Sequence, residues 1–147
     1  AIHNRGGAET EVRIEIPRAS AATIGSIKVS GSVAGIATSG TGVHRWGGRH
    51  HIIDPHTGAP ADRGIAQATV VAESAREAEA WAKSIVIGGA ALIRRAEAAG
   101  VHRIVAIQTD GTIVSAPALE PYDIRNRFTP LAPLATDDAP HPVVPLQ

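Results

Sequence analysis

Polar and apolar residues alternate strictly from Glu11 to Ile16, with Val12, Ile14 and Ile16 on one side. A period of two is that of a strand with one buried face, and Pro17 stops it. Short runs of Gly, Ser, Val and Ile between Ile24 and Ser39 predict two further strands, near 26–30 and 33–38, joined around Gly31. Ser39-Gly40-Thr41-Gly42 reads as a flexible loop, and Arg45 to Arg49, with Trp46 and two glycines, as a second loop. His51-Ile52-Ile53 reads as a short buried strand that ends in the turn Asp54-Pro55-His56-Thr57-Gly58. Pro55 fixes its own φ there, and Gly58 permits a left-handed backbone. Gln67 to Ala72 is a β-branched strand.

The period then lengthens to that of a helix. Ser74 is the predicted N-cap, with Glu77 completing a capping box. Ala78, Trp81, Ala82 and Ile85 fall on one apolar face, and Gly88-Gly89 stops the helix. A second helix runs from Ala90 to Ala99, closed by Gly100. Ile104–Ile107 and Thr112–Val114 flank Asp110-Gly111, a strong hairpin signal. The sum is an α+β domain over residues 11–116, mainly antiparallel sheet with two helices. Residues 1–10 read as a flexible lead-in. Residues 117–147, with most of the 10 prolines, read as an extended Pro-rich tail.

A chain of 147 residues is the size of one domain and can bury a core without staples. With aromatics at 3%, that core has to be Ala, Val, Ile and Leu. Lys+Arg and Asp+Glu are 14 each, and a net charge of zero argues against a nucleic-acid or anionic-membrane binder. The lack of cysteine removes disulfides, thiolate metal sites and thiol catalysis. No apolar run reaches the length of a membrane span. Methionine is also absent, so Ala1 is expected to be a processed or cut end.

The chemistry concentrates between His50 and Pro60, in the run HHIIDPHTGAP. An imidazole, a carboxylate and a hydroxyl arrive there within one turn of backbone, at a strand end followed by a constrained loop. Alternation along the strand puts His50 opposite His51, as a structural or merely exposed residue. Asp54 either orients His51, holds the turn, or does both. His44, His50, His51 and His56 are dense enough to suggest zinc, but their spacing follows no recognised ligand pattern.

The order of ATSGT (37–41), HIIDPxTGxP (51–60), TVVA (69–72), a helix with an acid between alanines (78–82) and IGG (87–89) resembles the C-terminal half of the ApbE family. These are the FAD:protein FMN transferases, and the likeness covers about residues 12–116. The resemblance implies FAD as substrate, a divalent cation that is usually magnesium, and transfer of FMN to a threonine of an acceptor flavoprotein, with release of AMP. It assigns His51 to proton transfer, and Asp54, by its place beside that ring, is taken with it as a catalytic candidate. It places Ser39 and Gly40 by the nucleotide; Thr57 and Gly58 have a hydroxyl and backbone N–H groups to offer a phosphate, and Arg45 is a further candidate for the phosphates. Position 56, usually basic in the family, is His56.

The helix departs from the family pattern. Where the family shows an Asp and a Thr that help bind magnesium, this chain has Glu79 and Lys83. Glu79 is the remaining candidate metal ligand, and a protonated Lys83 repels a cation. The pair is also correctly spaced for a plain helix ion pair, or Lys83 stands in for the metal and faces the diphosphate. Two functional readings follow: a divergent or incomplete flavin transferase, or a non-catalytic nucleotide- or protein-binding module that kept the fold. The first also expects an N-terminal half or a second chain to complete the pocket. Family members act on either side of a membrane, so the resemblance assigns no compartment.

Overall fold

The computed structural model describes residues 2–4, 7–15, 23–31, 34–116 and 128–130, with side chains placed in 11–15, 25–28 and 35–116. In chain order the elements are β1 (Ile2–Asn4), β2 (Gly7–Glu15), β3 (Thr23–Gly31), β4 (Ala34–Gly40), β5 (Arg45–Trp46), β6 (Arg49–His50), β7 (Ile65–Ala72), α1 (Ala75–Gly88), α2 (Ala90–Ala98), β8 (Arg103–Gln108), β9 (Ile113–Ala116) and β10 (Phe128–Pro130). A five-stranded sheet runs β1-β4-β7-β8-β9, a three-stranded sheet runs β10-β3-β2, and β5-β6 is a separate hairpin. Every pairing is antiparallel, which gives the expected α+β architecture.

The alternation of side chains along β7 organises three layers. Ala68, Val70 and Ala72 join Ala78, Ala82, Ile85 and Val86 of α1 in one core cluster. Val71 faces the other way and meets Ile36, Val105 and Ile107 with Ile14 and Ile27 of the three-stranded sheet. The central strand is therefore buried on both faces, which is why its sequence is a continuous apolar run rather than an alternating one. Gln67 ties the sheets together, its Nε2 donating to the Glu15 carbonyl at 3.0 Å. Each fully buried Ile or Val contributes about 1.5–3 kcal/mol.

Helix α1 begins where expected: the Ser74 Oγ accepts from the Glu77 N–H at 3.2 Å. Its first turn lies so close to β4 that a Cβ on Gly35 would overlap the Ala75 backbone. Only glycine fits at that crossing. Gly89 (φ 74) caps the helix, its N–H donating to the Ile85 carbonyl at 2.8 Å. No helix among the described residues is long and apolar enough to cross a membrane.

Several sequence expectations change. Residues 1–10 were expected to be a loose lead-in, but Ile2–Asn4 pair with β4 and β2 starts at Gly7. Ser39 and Gly40 are not loop residues; they close β4, paired with Ala68 and Gln67. Arg45–Arg49 forms a hairpin around Gly47 (φ 52) and Gly48 (φ 77), the two positive φ values a tight two-residue turn needs. His51–Ile53 is not a continuous strand: Ile53 makes an isolated bridge to Pro60. The period of two nevertheless survives, with His50, Ile52 and Asp54 buried and His51 and Ile53 exposed. In the Pro-rich tail, Phe128–Pro130 pair with β3; its other residues, like Ile16 and Pro17, lie outside those described.

Candidate functional site

The Asp54–Gly58 turn is held from within. The Asp54 carbonyl accepts from the Thr57 N–H at 3.2 Å and the Gly58 N–H at 2.9 Å, and the Asp54 N–H donates to the Ala59 carbonyl at 2.9 Å. The Asp54 Oδ1 accepts from the His56 N–H at 2.9 Å and lies 3.2 Å from the His56 Nδ1. The His56 backbone N–H holds this carboxyl below its ordinary range; burial opposes that shift, and the His56 ring and the Arg63 charge reinforce it. Of the two roles open to Asp54, the geometry gives the turn: its partner is His56, and His51 makes no hydrogen bond with it. Gly58 has φ 68 with open space where a Cβ would be, so glycine serves conformation there. The N–H groups of Thr57 and Gly58 are used inside the turn, and the Thr57 Oγ1 accepts from the Ala59 N–H at 3.2 Å. The hydroxyl proton of Thr57 is what the turn still offers a phosphate.

The adjacent histidines have opposite environments. His50 is buried; its Nε2 donates to the Ala61 carbonyl at 3.0 Å, and its Nδ1 accepts from the Ile52 N–H at 3.3 Å. Those contacts assign a structural role and overturn the merely exposed alternative. His51 is exposed, and its recorded contact is the His44 ring, with centroids 5.2 Å apart and planes at 85°.

A cavity of about 280 Å³ opens on the His50 side, lined by Thr41, Arg45, His50, Arg63 and Thr109 among others. Of the candidate site residues, Arg45 alone lines it; His51, Asp54, Thr57, Gly58, Ser39 and Gly40 do not. Sequence reasoning missed Arg63 and Thr109. The Thr109 N–H donates to the Gly64 carbonyl at 3.0 Å, a contact created by pairing of β7 with β8. No local motif marks it.

Glu79 lies on the exposed side of α1, its Oε1 3.4 Å from the Lys83 Nζ, with both side chains more than half exposed. Among the described residues no group of three or more His, Asp or Glu side chains gathers to hold a metal. Magnesium needs several oxygen ligands in near-octahedral array. Among the described residues Glu79 stands without a second acid beside it, and its neighbour is the Lys83 cation.

The ApbE family model matches residues 2–105. The chain is similar to the ApbE protein of Thermotoga maritima, at 29% identity and a TM-score of 0.59 over 72% of this chain and 35% of that one. It is also similar to the flavin transferase ApbE of Vibrio cholerae, at 28% identity and a TM-score of 0.54 over 76% of this chain and 36% of that one. The chain thus spans about a third of the length of each structure. Comparison with curated proteins gives no match. With the family match running from β1 through the HIIDPxTGxP turn and both helices into β8, this chain belongs to the ApbE family.

Proposed function

We propose that this chain forms part of the nucleotide site of an FAD:protein FMN transferase. In that reaction the hydroxyl oxygen of an acceptor threonine attacks the FMN phosphorus of FAD. The new P–O bond forms as the bond to the AMP phosphate breaks, and AMP leaves. The reading is carried by His51, an exposed imidazole at the head of the HIIDPxTGxP block in an ApbE-family chain. His51 accepts the threonine proton. Asp54 keeps the adjoining turn rigid, and Thr57, with Ser39 and Gly40 at the end of β4, borders the nucleotide.

Arg45 and Arg63 in the cavity supply positive charge to the part of the nucleotide away from the reacting phosphorus at His51. The cavity, about 280 Å³, lies just below the roughly 300–1,000 Å³ typical of ligand pockets. A dinucleotide needs the upper end, so these residues hold one portion of it. A second chain, or an N-terminal half of the family kind, holds the rest.

The test is mass spectrometry after incubating the chain, with the N-terminal half that completes the pocket supplied alongside it, with FAD, magnesium and a threonine-bearing acceptor flavoprotein. The expected result is an FMN-sized mass gain on that threonine with equimolar AMP. A second reading, a non-catalytic nucleotide- or protein-binding module, is supported by the Glu79–Lys83 pair in place of a metal site. Nucleotide binding without any mass gain on the acceptor selects that reading.

A further inference from the structure

We infer that His44 is a positioning residue that fixes the orientation of the His51 ring. The inference rests on the proton-transfer role proposed for His51. A base must be held in a productive orientation, and misplacement by about 1 Å can cost on the order of a hundredfold in rate. Asp54, the obvious orienting group, turns its Oδ1 to the His56 backbone N–H and ring and makes no hydrogen bond to His51. His51 is exposed and has no hydrogen-bond partner among the described residues. What touches its ring is His44, at a centroid distance of 5.2 Å and an interplanar angle of 85°. That is the edge-to-face arrangement that ring quadrupoles favour.

The backbone is arranged to make this contact. Arg45 pairs with His50 and Trp46 with Arg49 across the hairpin. One step further along the same ladder, His44 stands opposite His51. The Gly47-Gly48 turn fixes that register, because a two-residue loop allows no slippage. His44 is also the one non-glycine residue with positive φ among those described, at 54°. An imidazole there costs backbone strain that glycine would not. The surrounding loop has glycine at 40, 42, 47 and 48, yet position 44 carries a ring. Strain kept at a residue touching the proposed base points to use of the side chain.

The experiment compares the 147-residue chain with His44→Ala, His44→Gly and His44→Phe. The χ1 couplings of His51 are measured by NMR, together with its ring contacts to position 44. A single His51 rotamer is expected in wild type and in His44→Phe, which keeps the ring, and rotamer averaging in His44→Ala and His44→Gly. His44→Gly should also raise the thermal midpoint, because it relieves the left-handed strain. A merely structural residue would lower the midpoint and leave His51 ordered. Averaging already present in wild type, or a single rotamer in His44→Ala, overturns the inference.

Transfer of FMN is read separately. His44→Ala should lower kcat about ten- to a hundredfold at nearly constant KM, with His44→Phe restoring most of it. Unchanged kcat in His44→Ala overturns the positioning role. An ordered His51 in a wild-type chain that transfers nothing, even with the N-terminal half of the pocket supplied, overturns the transferase reading while retaining His44 as the group that holds the ring.

Discussion

The β7–α1 region and the segment from Thr41 to Gly64 are built by different rules. In the first, burial decides. Val70 and Val71 are 0% and 1% exposed on opposite faces of one strand, and Ala78, Ala82 and Ile85 cover one of those faces. Many contacts agree on each position, so the outcome is over-determined. In the second region His44, Trp46, His51 and His56 are exposed, and conformation rests on a few hydrogen bonds and the Gly47-Gly48 turn. The candidate chemistry is in that second region, mounted on the rigidity of the first. The core should therefore tolerate little and concern stability, whereas the segment should tolerate change thermodynamically and concern function.

The largest stability effect should come from Ile85→Ala. It removes a fully buried side chain and should cost about 2–5 kcal/mol, read as a lower urea midpoint. Gly35→Ala should cost about 1–3 kcal/mol, because the added methyl would overlap the Ala75 backbone and neither partner is the end of a flexible side chain. A neutral result would mean that α1 does not seat on β4 as described. Ser74→Ala should cost about 1 kcal/mol through loss of the helix cap.

Within the turn the expected effect follows pH. The folded-state pKa of Asp54 lies below its ordinary value of 3.8, so folding favours the ionised carboxylate. That contribution is present above the unfolded pKa and is lost as pH falls through the lower folded value. In acid titrations below about pH 4, the stability difference between wild type and Asp54→Asn should therefore shrink. A difference that stays constant there would contradict the Asp54–His56 arrangement. The smallest effect belongs to Glu79→Gln or Lys83→Met, each within about 0.5 kcal/mol, as for a solvated i, i+4 pair. A large loss would place that pair in a more demanding role.

The same contrast governs what the sequence discloses. Strand β7, the Ser74 cap and the Asp110-Gly111 hairpin are all legible, because period, cap chemistry and turn chemistry act over a few neighbouring residues. The β5–β6 hairpin is not, because two-residue strands carry no alternation to detect. Ser39 and Gly40 look like loop residues by propensity, and pairing with Ala68 and Gln67 overrides that. The acid–imidazole pair is legible as a motif but not as a partnership. Sequence brings His51 and Asp54 close, and only the turn geometry gives Asp54 to His56. Arg63 and Thr109 meet at the cavity through tertiary pairing, and His44 meets His51 through hairpin register.

The most direct test of the account is the rate of FMN transfer by His51→Ala relative to wild type, at equal FAD occupancy and with the near-UV spectrum confirming an intact core. The account predicts a loss of about a hundredfold or more, since general-base catalysis contributes roughly 10²–10⁴-fold. Because His51 is exposed and makes no hydrogen bond among the described residues, stability should hardly change. Transfer at the wild-type rate by a folded His51→Ala chain would contradict the account.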